Sequence, residues 1–393
     1  MTSTIIISLC ILILIAYIFD VTSSKTSIPS VILLLLLGFG AQELIVYSNI
    51  NLPDLNPLLP GLGTIGLILI VLEGSLELEL SKSKIPTIKR SFISALLPLV
   101  MLGILLGFYF ANTEQASLKD GISNALPFCI ISSAIAIPSV KYLSEAKKEF
   151  VIYESSLSDI FGVILFNFFT FNEIINLFSV THFIAQILIM AVIAIISTGL
   201  LSLLLSKINH HVKFVPITLL VILIYEISKI YDLPALIFIL VFGLAAGNLD
   251  KLKGIKSIRY LKVEEMRPEI IRFRDLITEF TFLVRTLFFL LFGFLMEKST
   301  ILNTKTIIPA FAIVILIYLL RAIQLKILKI EFNPILFIAP RGLITILLFI
   351  SIPKTQSIWF VNDSLIIQVI ILSTITMMLG FMFQKKQTGH PQI

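Results

Sequence analysis

Residues 131–167 read ISSAIAIPSVKYLSEAKKEFVIYESSLSDIFGVILFN. An apolar stretch containing Pro138 runs into a short turn with Lys141, Lys147 and Lys148. A longer apolar stretch follows, with Glu154 and Asp159 in its interior. At 1.5 Å rise per residue, apolar stretches of about 20 residues cross the hydrocarbon core of a bilayer. A charge at mid-bilayer costs roughly 2.5–3.5 kcal/mol even on the lenient insertion scale, so one that persists is paired, wetted or functional. The segment therefore reads as two spanning helices joined by a basic turn, the second carrying chemistry.

The rest of the chain repeats the pattern. Hydrophobic residues make up 57% of the 393 and charged residues 14%, with a mean hydropathy of +1.03; a soluble domain carries about 25% charged residues. Apolar segments fall at 4–19, 28–47, 61–80, 90–111, 121–143, 148–171, 180–205, 214–231, 234–248, 272–297, 304–322, 331–350 and 361–384. This predicts an all-α polytopic membrane protein of about 13 transmembrane helices. Residues 1–393 are expected to form one membrane domain, with a cytoplasmic linker at 249–275 and no soluble regulatory domain. The opening MTSTIIISLCILILIAYIFD has no Lys or Arg before its apolar core and no small-residue cleavage site after it. It reads as the first span and not as a cleaved signal.

Charge asymmetry orients the helices. With the N-terminus outside, 23 of the 30 Lys and Arg fall in cytoplasmic connections and 4 outside; Lys229, Arg285 and Arg341 remain within helices. This positive-inside bias predicts an inner-membrane protein with its C-terminus in the cytoplasm. It also accounts for the net charge of +6 without a nucleic-acid partner. Cys10 and Cys129 both lie in apolar segments and the four histidines are scattered, so neither a disulfide framework, a resident metal nor a cofactor is expected. The helices hold no Asp pair, HExxH or Ser/His set, so the chain does not read as an intramembrane enzyme and no catalytic residue is assigned.

Two segments echo two others seven helices later. LEGSLEL at 72–78 shares Leu72, Gly74 and Leu76 with Leu291, Gly293 and Leu295 of LFGFLME at 291–297; Pro127 and Pro138 in the fifth helix match Pro334, Pro340 and Gly342 in the twelfth. Seven is odd, so the second copy is inverted. Paired interrupted helices in an inverted repeat mark a transporter with its site at their crossing. Of the intramembrane charges, Glu154 and Asp159 point about 140° apart on one helix and cannot act as a pair. Ser155 shares a face with Asp159 and offers a hydroxyl beside a carboxylate, which suits a small dehydrated cation. Glu154 needs a cationic partner, for which Arg341 in the interrupted twelfth helix is the candidate. Arg285 is expected near Asp159, tuning it together with Glu73. In the linker, Ile255, Ile258 and Leu261 among eight basic residues predict an interfacial helix.

These stretches resemble a known family. ISSAIAIPSVKYL followed by YESSLSDIFGVILF is similar to the broken helix and acidic helix of the cation:proton antiporter superfamily, closest to its sodium/proton exchanger branch, which reads T-D-P-x-A-V and then E-S-L-x-N-D-x-x-x-x-x-L-F. VLEGSLELEL resembles that branch's third helix and PRGLITILL its Arg-Gly helix. The resemblance implies a thirteen-helix inverted repeat with crossed discontinuous helices, a homodimer, and alternating access by a moving core. It assigns Asp159 as the ion- and proton-binding carboxylate with Ser155 as a further ligand, and Glu154 with Arg341 as a structural ion pair. Ser158 stands beside Asp159, and the broken helix is expected to complete the oxygen shell with its freed carbonyls and Ser132 or Ser133. Two positions depart from the branch. Ser158-Asp159 replaces Asn-Asp, and Ser132-Ser133-Ala134 replaces Thr-Asp-Pro, nearer to the Ser-Ser-Thr of the potassium/proton branch. Sodium/proton exchange is the expected function; potassium/proton exchange and sodium-coupled symport of a small organic anion are the alternatives.

Overall fold

A computed structural model of the chain describes residues 2–26, 28–48, 54–140, 143–207, 214–231, 233–248 and 263–388. Apolar side chains on nearly every turn leave no alternative to helix in hydrocarbon, where each backbone polar group must be satisfied within its own segment. The chain accordingly forms α1 (Thr2–Thr26), α2 (Ser30–Tyr47), α3 (Leu58–Glu77), α4 (Ile85–Glu114), α5 (Leu118–Cys129), α6 (Ser133–Ser139), α7 (Glu145–Phe171), α8 (Leu177–Lys207), α9 (Phe214–Ile230), α10 (Ala235–Gly247), α11 (Val263–Phe294), α12 (Lys298–Ile301), α13 (Thr304–Ile327), α14 (Leu343–Ile350) and α15 (Asp363–Thr388).

All thirteen expected spans are present. The fifth is split into α5 and α6, and the twelfth into a short turn at Ile335–Phe337 and α14. Two boundaries move in ways that matter. Helix α13 runs to Ile327, past the expected end at 322, and so takes in Gln324. Helix α11 begins at Val263, so the second half of the expected 249–275 linker is helical; residues 249–262, with Ile255, Ile258 and Leu261, lie outside the described residues.

The helices pack in two groups. One consists of α4–α7 with α13–α15, and the other of α1–α3 with α8–α11; α3 and α10 meet α7 along the seam between them. Small residues set the close approaches within the second group. A Cβ added at Gly38 of α2 would collide with the Leu290 carbonyl of α11, and one at Gly293 with the Leu35 carbonyl of α2. Gly243 and Gly247 likewise seat α10 on Ser75 and Leu76 of α3. Such helix–helix contact through small residues replaces the hydrophobic driving force that lipid does not supply.

At the end of the first group where α7 begins, Lys147 pairs with Glu331 at 2.7 Å and donates to the Asn333 carbonyl at 3.0 Å. The Lys147 ammonium holds the exposed Glu331 carboxyl below the usual carboxylate range.

Candidate ion site at the crossing of two interrupted helices

Helix α5 ends at Cys129, and the chain runs extended through Ile130 and Ser132 before α6 begins at Ser133. An interruption frees backbone donors and acceptors that must find partners in the absence of water. Three successive N–H groups show where they go. Ile131 donates to Ser158 Oγ at 3.0 Å, Ser132 to the Pro340 carbonyl at 2.9 Å, and Ser133 to Asp159 Oδ2 at 3.3 Å. The Ser133 hydroxyl donates to the same Oδ2. Helix α7 therefore holds the break with Ser158 and Asp159, and the second interrupted span holds it with Pro340.

The second break reciprocates. Arg341 Nε donates to the Phe128 carbonyl at 2.6 Å, Nη1 to the Ala339 carbonyl at 2.9 Å, and its backbone N–H to Ser373 Oγ at 3.1 Å. The Phe128 carbonyl lies in the last turn of α5, where a cation is electrostatically favoured. Gly342 follows in the crossing itself. A Cβ there would stand 2.7 Å from both Ile135 Cδ1 and Ser132 Oγ. Gly342→Ala is expected to push the Ser132 hydroxyl and the Ile135 side chain out of the crossing and slow exchange at least severalfold in proteoliposomes; an unchanged rate would mean that the crossing tolerates the displacement.

This geometry corrects the Glu154–Arg341 assignment. Arg341 sits inside a break, where freed carbonyls are its nearest acceptors. Glu154 is instead paired with Arg321 of α13 in a two-pronged contact, Nη1 to Oε1 at 3.0 Å and Nη2 to Oε2 at 2.9 Å. Both residues are buried, at 0% and 2% exposed. Arg321 Nε also donates to the Ile335 carbonyl at 2.9 Å. The Ser94 hydroxyl donates to Glu154 Oε1, and Gln324 donates to the Ser94 carbonyl at 2.9 Å and to the Ser94 hydroxyl oxygen. Sequence reading counted Arg321 among the cytoplasmic charges and passed over Ser94 and Gln324. The available signal was the i, i+3 spacing of Arg321 and Gln324, which puts both on one face of a helix that continues past them.

Asp159 is 1% exposed. Its second oxygen, Oδ1, is buried without a hydrogen-bond partner among the described residues, as are Ser132 Oγ and Ser156 Oγ. The structure thus brings Ser132, Ser133, Ser158 and Asp159 together at the break. Ser155 is fully buried on the same helix and donates back to the Val151 carbonyl at 2.8 Å. Ser156, not singled out from sequence, faces α3, where its hydroxyl lies 2.8 Å from the position a Gly74 Cβ would take.

Arg285 of α11 reaches the Ala134 carbonyl of α6 at 3.5 Å and Asp20 of α1 at 3.6 Å. Its described contacts are thus with the residue after Ser133 and with a carboxylate on α1. Glu73 is half-buried on α3, beside Thr278 and Thr281 and within the field of Arg285. Among the described residues no cluster of His, Cys, Asp and Glu could hold a resident metal ion.

Comparison with known proteins places this arrangement. The family described as sodium/hydrogen exchanger, transmembrane, matches residues 10–385. Two solved structures share the fold. The sodium proton antiporter MjNhaP1 from Methanocaldococcus jannaschii at pH 8 superposes with a TM-score of 0.71 at 19% identity, covering 96% of this chain and 99% of that one. An electron-microscopy map of the same antiporter gives a TM-score of 0.66 at 17% identity, covering 99% and 97%. No curated protein sequence matches this chain. With the family match running almost end to end over a shared antiporter fold, the chain belongs to the sodium/hydrogen exchanger family, as a multi-pass membrane transporter that exchanges a cation for protons and is not an enzyme.

Proposed function

We propose that the chain exchanges sodium for protons by alternating access, with Asp159 binding either a proton or one cation but not both. The observation that carries this is the pair of unpartnered buried oxygens at the crossing, Asp159 Oδ1 and Ser132 Oγ. A buried acceptor left without a donor is costly, and oxygen ligands suit a hard cation such as sodium. Ser133 and Ser158 hold the break in register around the carboxylate, and Ser155 on the same face offers a further oxygen. Arg285 and Glu73 set the local field from the second helix group. Competition for one carboxylate couples the two fluxes, and one carboxylate favours electroneutral, one-for-one exchange.

The potassium/proton alternative draws on Ser132-Ser133-Ala134, whose hydroxyls stand where the sodium branch has an acidic residue. The deciding experiment is proton flux in proteoliposomes under imposed sodium, lithium or potassium gradients. Flux driven by sodium and lithium but not potassium supports the proposal, and flux driven by potassium alone overturns the sodium assignment.

The proposed assembly is a homodimer in the inner membrane, each chain a single membrane domain with its N-terminus outside and C-terminus cytoplasmic, on the charge bias. A reporter fused after Ile393 that is active only outside the cytoplasm would reverse this orientation. In this orientation the first residues of α7 and the last of α3 and α10 face the cytoplasm.

A further inference from the structure

The link from α3 to α4 crosses the seam between the two helix groups, and it is gripped from both sides. From the α10 side, Asn248 is 2% exposed and uses both ends of its amide, Nδ2 donating to the Leu78 carbonyl at 2.8 Å and Oδ1 accepting from the Leu80 N–H at 2.7 Å. From the α7 side, the Tyr153 hydroxyl donates to the Glu79 carbonyl at 2.6 Å. Lys84, at the end of the link, pairs with Glu79 at 2.9 Å and with Glu149 of α7 at 2.6 Å. Three consecutive residues are thus bound from the end of α10 and from the site-bearing α7 at once.

The opposite end of the same seam is different. There a cavity of about 290 Å³ opens between α7, α8 and the α9–α10 turn, with Asn167, His182, Gln186 and Tyr231 in its lining. The seam is bridged by side chains where α7 begins and leaves a surface cavity where α7 ends, with none of the residues at the break in its lining.

We infer that Leu78–Leu80 is a strap that shuts the cytoplasmic end of the transport path in this conformation, and that Asn248 and Tyr153 are positioning residues for exchange because they hold it. The inference rests on the alternating-access reading above. A hydrogen bond is lost once its atoms part beyond about 3.5 Å. A displacement of α7 against α10 by an ångström or two therefore releases one arm. The inward-open conformation lacks that arm, so removing it by mutation destabilises only the conformation seen here and shifts the population inward. One buried hydrogen bond corresponds to a shift of about fivefold.

The test is sodium-driven proton flux in uniformly oriented proteoliposomes, with the half-saturating sodium concentration measured on each face for Tyr153→Phe and Asn248→Ala. Tyr153→Phe keeps the ring and its packing, and so guards against misfolding of the other variant. The expected result is that KM rises on the outer face and falls on the inner face, their ratio changing about fivefold in Tyr153→Phe, which removes one bond to the strap, and by more in Asn248→Ala, which removes two. The double variant should shift little further, because either release frees the strap. KM values that stay unchanged on both faces, or that rise together, overturn the strap. Wild-type protein and Asp159→Asn are run alongside. Exchange undiminished in Asp159→Asn breaks the functional reading itself, whereas exchange lost there with unmoved KM values in both strap variants breaks the strap alone.

Discussion

Asp159→Asn is expected to lower cation/proton exchange by at least about 100-fold while leaving the melting temperature in detergent close to wild type. The two side chains are nearly isosteric, and an Asn carbonyl oxygen can still accept from the Ser133 N–H and hydroxyl that now bond Oδ2. What disappears is the negative charge. A neutral amide cannot be emptied of a proton to receive a cation, so the alternation that links the two fluxes has no carrier. The measurement is proton flux in proteoliposomes under an imposed sodium gradient. An Asn variant that exchanges at the wild-type rate would show that the carrier lies elsewhere, and Glu73 would be the next carboxylate to replace. A wild-type rate that responds to an imposed membrane potential would leave the exchange intact and refute its one-for-one stoichiometry.

Arg321→Met is expected to be the most damaging single change to stability. It leaves the Glu154 carboxylate buried, with the Ser94 hydroxyl and a 3.4 Å contact from Gln324 as its remaining partners. Stripping one member from a buried ion pair costs about 3–5 kcal/mol, whereas replacing both members by uncharged groups of similar size is often nearly neutral. Glu154→Gln together with Arg321→Met should therefore recover much of what either loses alone. Thermal unfolding in detergent of the two single variants and the double provides the cycle. Losses that simply add would mean that the two charges are not energetically joined, whatever their separation.

The thirteen spans could be read from hydropathy because lipid permits so little else: a stretch of apolar residues without an internal partner must be a helix. The breaks were open to reading only in part: Pro340 and Gly342 lie in the second, whereas Pro127 and Pro138 fall inside α5 and α6 and only flank the first, at Ile130–Ser132. Asp159 stood out because a carboxylate in such a run needs a reason. Partnership was harder. Arg321 stands near the end of one predicted span and Arg341 in the middle of the next, and nothing along the chain says that one guanidinium will be drawn to freed carbonyls in a break and the other to Glu154. The choice depends on which helices become neighbours. Ser94 and Gln324 were invisible for the same reason, being ordinary polar residues until α4 and α13 close around α7. Ser155 and Ser156 show the limit at its finest. Both lie within about 60° of Asp159 around the helix, and only the structure separates the hydroxyl spent on the Val151 carbonyl from the one left unpartnered.

The mutual bonding of the two interrupted spans also bears on how the polypeptide is made. The Ser132 N–H is satisfied by the Pro340 carbonyl, and the Phe128 carbonyl by the Arg341 side chain. Each partner is synthesised more than 200 residues after the group it satisfies. Without the twelfth span, the break in the fifth would expose these two groups to hydrocarbon, at several kcal/mol for each. The break and the pairing of the two spans are therefore expected to form together, late in membrane integration, however early the fifth span is inserted.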